Sequence, residues 1–277
     1  MKSFARTVSG FCPEGITLAL LVVIVGCASS SGSGTPGTPP SSSTAPLSPN
    51  GAKNIYVSQQ STSYGPGSIL QFTATSNGSV SPNSTLTTQP KQPLPYGLAT
   101  DSSGSIYVGA FSQTGPEVLI YPVGTSGTAS PTRTILGGAS FIDPLYMTVD
   151  SSDQLYVLDP TGSLGGSYAN DGGVYVFAST ANGTATPIRH LQGSLTQLAT
   201  SGTPNAISVD AADNIYVSLA PTTTYASTWT ILVFSATQNG NVAPARVITA
   251  TSPTSLVDPL AYALDANGNL YVDYSDT

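Results

Sequence analysis

From residue 54 onward the apolar residues come in short runs, each closed off by Gly, Pro, Asn, Asp or Ser. Ile55-Tyr56-Val57, Ile106-Tyr107-Val108, Leu155-Tyr156-Val157, Ile215-Tyr216-Val217 and Leu270-Tyr271-Val272 form one set. Val118 to Tyr121, Val174 to Phe177 and Ile231 to Phe234 form a second. The runs are rich in β-branched and aromatic residues and bounded by turn formers, so they predict short strands. No segment of ten or more residues beyond position 50 carries an apolar period of 3.6, so helices are not expected there.

The runs belong to one recurring phrase. Pro95 to Asp101 is followed by Gly104 to Val108, and Pro144 to Asp150 by Asp153 to Val157. Pro204 to Asp210 precedes Asp213 to Val217, and Pro259 to Asp265 precedes Gly268 to Val272. Each of the middle units ends in a polar stretch and an Arg-containing segment: Arg133-Thr134-Ile135, Arg189-His190-Leu191 or Arg246-Val247-Ile248. The closing Asp residues are Asp101, Asp150, Asp210 and Asp265, which sets a repeat of 49 to 60 residues. Four strands in a unit of that size match one blade of a β-propeller.

The expected fold is therefore all-β, a propeller of four-stranded blades over 54–277. Seventeen strands are predicted, with three in the first unit and two in the last. That leaves four to six blades, either as a small ring or as a truncated piece of a larger one. Truncation is favoured, because Thr277 follows the last strand with no capping segment. Length varies between the second and third strands, at 162–173 and 221–230, which suggests binding loops on one face.

The phrase Pro204 to Asp210 with Asn214-Ile215-Tyr216-Val217 resembles NHL-type β-propellers. The ending Asn-Gly-x-x-x-Pro-x-Arg, at Asn182 to Arg189 and Asn239 to Arg246, resembles repeat lipoproteins of soil bacteria. The resemblance implies a disc whose faces bind protein, peptide or RNA. It also admits an enzyme, because related six-bladed propellers hydrolyse lactones with a divalent metal in the channel. Their metal is held by a Glu with Asn and Asp residues. Glu117, the one glutamate beyond the leader, is read as lying just before a third strand, so that part of the pattern is missing.

Residues 1–27 read as a lipoprotein signal peptide. Lys2 and Arg6 precede an apolar core at 16–25 that is too short to span a bilayer, and Ile24-Val25-Gly26-Cys27 resembles a lipobox with Cys27 as the lipid-bearing residue. Residues 28–53 are rich in Ser, Gly, Thr and Pro and read as a disordered tether. Ala28 after the Cys points to an outer-membrane or cell-surface location, with the lipid as the only contact with the membrane. Cys12 leaves with the leader and Cys27 takes the lipid, so no disulfide is expected in the repeats.

Charge removes one class of partner. Beyond the leader, five basic residues face thirteen acidic ones, with no basic surface for a phosphate backbone, so nucleic acid is excluded. Asp101, Asp150, Asp210 and Asp265 read as turn formers rather than a carboxylate ring, since a residue present in every unit marks no unique site. Arg133, Arg189 and Arg246 read as partners for a neighbouring carbonyl or carboxylate. The repeated Tyr residues read as core. His190, the sole histidine, reads as exposed, which argues against a Ser-His-Asp triad or a histidine metal cluster.

The residues that differ between units are the better site candidates. Tyr96, Asn205, Asp143 and Asp258 sit at or before first-strand starts, and Trp229, the only tryptophan, lies in the loop-rich insertion at 221–230. Together they suggest a polar face with an aromatic rim. The expected function is a non-catalytic binding or scaffold module at the cell envelope, with no cofactor and a protein, peptide or glycan ligand. The alternatives are a metal-dependent propeller enzyme, lactonase- or lyase-like, using a divalent cation such as calcium, and a non-functional gene fragment.

Overall fold

The structure is a computed structural model. It describes residues 22–24, 54–59, 67–88, 95–112, 115–137, 141, 143–160, 172–199, 201–220, 229–250, 259–265 and 268–274. The chain is built as successive antiparallel sheets. The first contains β1 (Val22–Ile24), β2 (Asn54–Gln59), β3 (Ser68–Thr73) and β4 (Ser84–Thr87). The second unit is β5 (Leu98–Thr100), β6 (Ile106–Ser112), β7 (Gly115–Tyr121), β8 (Gly127–Thr128) and β9 (Arg133–Leu136). The third is β10 (Tyr146–Val149), β11 (Leu155–Asp159), β12 (Gly173–Phe177) and β13 (Arg189–Leu191). The fourth is β14 (Thr203–Val209), β15 (Ile215–Ala220), β16 (Trp229–Phe234) and β17 (Arg246–Ala250). A two-stranded sheet of β18 (Pro259–Leu264) and β19 (Leu270–Tyr274) follows.

Two strands depart from the expected set. β1 pairs with β2 in the register Val22↔Val57, Val23↔Tyr56 and Ile24↔Ile55. In the unprocessed chain, the first-strand position that the sequence leaves empty in the first unit is thus taken by Val22–Ile24. β8 belongs to the second unit by sequence but pairs in parallel with β4 of the first, Leu86 opposite Gly127.

Each first-to-second strand turn is built the same way. The fourth residue of the turn has positive φ: Gly104 at 83°, Asp153 at 60°, Asp213 at 60° and Gly268 at 79°. Glycine takes that region freely, and Asp is one of the few other residues that tolerates it.

The core is divided into seams between consecutive sheets. Tyr56, Ile69, Leu86, Leu98, Leu119 and Tyr121 fill the first, and Tyr107, Val118, Met147, Val157 and Phe177 the second. Tyr156, Val174, Ile207, Val217 and Phe234 fill the third. In the fourth, Tyr216, Ile231 and Val233 meet Leu264, Leu270 and Val272. Every middle sheet must bury both faces, which is why its second and third strands read as continuous apolar runs. Leu155 to Asp159 and Gly173 to Phe177 are buried throughout. First strands of neighbouring sheets adjoin, β5 with β10, β10 with β14 and β14 with β18. Four-stranded antiparallel sheets stacked face to face, with first strands together, are propeller-type blades.

The outer edges are clasped as well. Ile135 and Leu191 form parallel bridges to Gly183 and Gly240 of the following unit. The Thr134 amide donates to Asn182 Oδ1 at 3.1 Å, and the His190 amide to Asn239 Oδ1 at 2.9 Å. The recurring Asn-Gly is thus a blade-to-blade joint.

Candidate functional site

The two ends of the sheets carry different chemistry. At the turn end, the repeated carboxylates are occupied by their own loops. Asp101 Oδ1 accepts from the amides of Ser103 at 3.0 Å and Ser105 at 2.8 Å. Asp150 Oδ1 accepts from Ser152 at 2.9 Å and Gln154 at 2.8 Å, and Asp210 Oδ1 from Ala212 and Asn214, both at 2.9 Å. Asp265 Oδ1 accepts from the Asn269 amide at 2.8 Å. In each case the second oxygen takes the hydroxyl of the repeated tyrosine: Tyr107 at 3.3 Å, Tyr156 at 3.0 Å, and Tyr216 and Tyr271 at 3.2 Å.

The arginines complete this network. Arg133, Arg189 and Arg246 donate from Nη2 to the hydroxyls of Tyr107, Tyr156 and Tyr216 at 3.3, 3.4 and 2.9 Å. Arg133 Nη1 also donates to the carbonyls of Ser179 at 2.7 Å and Ala181 at 3.0 Å in the next unit, and Arg189 Nη1 to Ala236. Asp, Tyr and Arg of one unit thus tie its first turn, its second strand and its outer strand to the following sheet. Burial raises the Tyr107 and Tyr156 phenols, so both stay protonated donors. For Asp210, burial pushes upward, but bonds from Asn214, Ala212 and Tyr216 outweigh it and lower the carboxyl.

The opposite end, ahead of the first strands, brings different residues together. Asp143, half-buried ahead of β10, is pushed up to about 6 by burial and by the nearby Asp159 carboxylate. Burial also raises the phenols of Tyr96 and Tyr146, with the Asp143 charge adding to both. Tyr96 is fixed by its amide, which donates to the Gly109 carbonyl at 2.8 Å. The backbone makes this approach possible, because a Cβ on Gly109 would lie 2.2 Å from the Pro144 carbonyl oxygen. Of the expected residues, Tyr96 and Asp143 therefore share one electrostatic neighbourhood at the seam of the second and third sheets.

Asp159 and Tyr146 were not singled out from the sequence. Asp159 ends β11 fully buried, and a charged residue closing an otherwise apolar second strand was the available signal. Asn205 lies on β14 of the next sheet, where Ser218 Oγ donates to its Oδ1 at 2.6 Å. Trp229 opens β16 opposite Ala250, with its side chain outside the described residues. Asp258 also lies outside them.

Glu117 sits within β7, not before it, because the third strand begins at Gly115. It is buried, with no hydrogen-bond partner for Oε1 among the described residues, and burial raises its carboxyl while Ser112 lowers it. Its strand position aligns with Leu119 and Tyr121, which face the first seam. Among the described residues no three His, Cys, Asp or Glu side chains converge to hold a metal ion. His190 is exposed on β13.

No family model matches the chain, and no curated protein matches it. Among solved structures it is similar to a protein from Lactobacillus plantarum at 13% identity and a TM-score of 0.43, covering 79% of this chain and 55% of that one. It is also similar to a quinonprotein alcohol dehydrogenase-like protein from Bacteroides thetaiotaomicron at 9% identity and a TM-score of 0.35, covering 71% and 53% respectively. The chain spans about half the length of the solved structures it matches. The sheet order and seams by themselves define the class: an all-β repeat protein with propeller-type blades.

Proposed function

We propose that this protein is an NHL-type propeller module, exported and lipid-anchored through Cys27, that binds a ligand at the cell envelope without transforming it. The observation carrying this reading is the contrast between its two ends. The turn-end carboxylates are consumed by backbone amides and tyrosines. The half-buried Tyr96 and Asp143 sit instead at the other end of the sheets, ahead of the first strands β5 and β10. Phenol rings beside a carboxyl suit a ligand that offers hydrogen-bond donors and an apolar face, as a peptide, a protein loop or a glycan does. The tether at 28–53 would hold this surface away from the membrane, at the outer membrane or cell surface.

The test is a peptide and glycan array probed with the full chain and with Asp143→Asn. A ligand retained by the parent and lost by the variant supports the loop-end site, and equal binding by both sinks it. Fatty-acid labelling of the parent but not of Cys27→Ser checks the anchor. The enzyme reading draws on the neighbouring carboxyls of Asp143 and Asp159. Calcium at a hundredfold excess over Kd would then add about 2.7 kcal/mol to stability. A melt that rises with calcium in the parent and not in Asp143→Asn would put that reading first.

A further inference from the structure

Glu117 departs from the repeat. It stands opposite Ala110 of β6, and the equivalent third-strand places in the other units hold Ser68, Gly173 and Thr230, none of them ionisable. The side chain is 5% exposed. It shares a face of β7 with Leu119 and Tyr121, which pack in the first seam with Tyr56, Ile69 and Leu86.

The seam gives this carboxyl little to bond. Oε1 meets no hydrogen-bond partner among the described residues, and neither does the buried Tyr121 hydroxyl on the same face. The carboxyl meets the Ser112 hydroxyl, which also donates to the Gly115 carbonyl at 3.2 Å. A hydroxyl carries one hydrogen, so the carbonyl and a carboxylate compete for it. A protonated Glu117 ends that competition, because it donates to Ser112 Oγ itself. Burial raises the carboxyl more than Ser112 lowers it.

No countercharge faces it among the described residues. Tyr56 and Tyr121 are the titratable side chains of the first-seam core, and burial together with the Glu117 charge pushes Tyr121 up to about 12. Strands β2 to β6 and β8 contain no Asp, Glu, Lys, Arg or His. Arg133, on β9, is engaged by Tyr107, Ser179 and Ala181. Lys53 and Lys91 lie outside the described residues. A carboxylate taken out of water without a partner is so costly that the group holds a proton instead.

We propose that the first seam is a pH-operated joint: Glu117 is buried as a neutral acid, and its ionisation parts the first sheet, β2 to β4, from the second. The folded state favours the protonated form. Its stabilising contribution is therefore fullest below the ordinary carboxylate range and is lost as pH rises through the raised value. The joint also supports the segment that carries Tyr96. A Cβ on Gly67 would lie 2.2 Å from Pro95 Cδ, so the start of β3 abuts the residue before Tyr96, and parting the seam withdraws that support. The proposal stands on the seam itself and does not rest on ligand binding at Tyr96 and Asp143.

The test is amide exchange on the full chain, in detergent, between about pH 4 and about pH 8. The parent is compared with Glu117→Gln and Glu117→Leu, and either variant that folds suffices. At the upper pH, the β2 and β3 amides of the parent should exchange at least about tenfold faster than those of the variants, tenfold being one unit of proton linkage. At the lower pH the proteins should agree, and β12 and β16 should match at both. Asp143 titrates in all of them and cancels. An infrared difference between parent and Glu117→Gln near neutral pH should show the band of a protonated carboxyl. Equal exchange at the upper pH, or absence of that band, overturns the proposal. Acceleration spread evenly over every sheet also overturns it, since Glu117 would then affect overall stability and not a joint. Lys53→Ala and Lys91→Ala should leave the parent's profile unchanged. Faster exchange of β2 and β3 in either one would make Glu117 an ion-paired carboxylate and overturn it equally.

Discussion

Replacing Asp150 by Ala tests whether the repeated carboxylates are structural. Asp150 is 8% exposed and accepts three hydrogen bonds, from the amides of Ser152 and Gln154 and from the Tyr156 hydroxyl. A bond to a charged acceptor contributes about 1.5–3 kcal/mol. The two amides lie in an exposed turn and rehydrate when the carboxylate leaves, so most of their share is recovered. The Tyr156 hydroxyl is buried and keeps only the long contact from Arg189 at 3.4 Å. The expected loss is therefore about 3 kcal/mol, with Tyr156→Phe costing about 1–2 kcal/mol. The double variant should cost about 1 kcal/mol less than the sum, since both changes break the same bond. Asp265→Ala is the internal control. It removes the same contacts around Tyr271, which is 60% exposed, and should cost under about 1 kcal/mol. Urea unfolding at constant m-value reads all four. If Asp150→Ala costs no more than Asp265→Ala, the network is not structural, and a functional carboxylate ring returns to consideration.

Four further outcomes follow from the geometry. Asp143 has a folded-state pKa of about 6 against an ordinary value of 3.8. Its protonated form is favoured by folding, so its contribution is fullest below pH 4 and is lost as pH rises through 6. Asp143→Asn should therefore stabilise the chain by about 1–2 kcal/mol at pH 7.5, after allowance for solvent screening, and change little at pH 4. Asp210 has the opposite sign: its lowered carboxyl stabilises above the ordinary carboxylate range, and that stability is lost as pH falls through the depressed value. Asp210→Asn should flatten the acid limb of the melting temperature, and an unchanged limb would count against it. Gly109→Ala should cost more than about 3 kcal/mol, because its Cβ would meet the Pro144 carbonyl oxygen at 2.2 Å, whereas Gly124→Ala meets open space and should cost only about 1 kcal/mol for its positive φ. Arg189→Lys should cost about 1–2 kcal/mol, because one ammonium cannot hold Tyr156 and Ala236 together while stacking on the Tyr156 ring at 5.5 Å, and an unchanged melt would refute that role.

The sequence alone determined the unit and its local bonding. A run such as Leu155 to Leu158 between an Asp turn and a Gly-rich connection has few ways to bury itself other than as a strand, and its repetition specifies stacked sheets. The turn role of Asp150 was legible for the same reason: its amide partners lie two and four residues away. Tyr96 and Asp143 stood out because they differ where the units otherwise agree.

Only the tertiary structure decided what meets across a seam. Asp159 and Tyr96 are far apart along the chain, and the Asp143 carboxyl joins them only because Gly109 lets the Pro144 backbone approach. The Asn-Gly stretch read as a polar connection, yet its partners are the amides of Thr134 and His190, nearly fifty residues before it. Local hydrogen bonds follow from spacing along the chain. Contacts between sheets depend on how each sheet buries its second face, which no single repeat encodes.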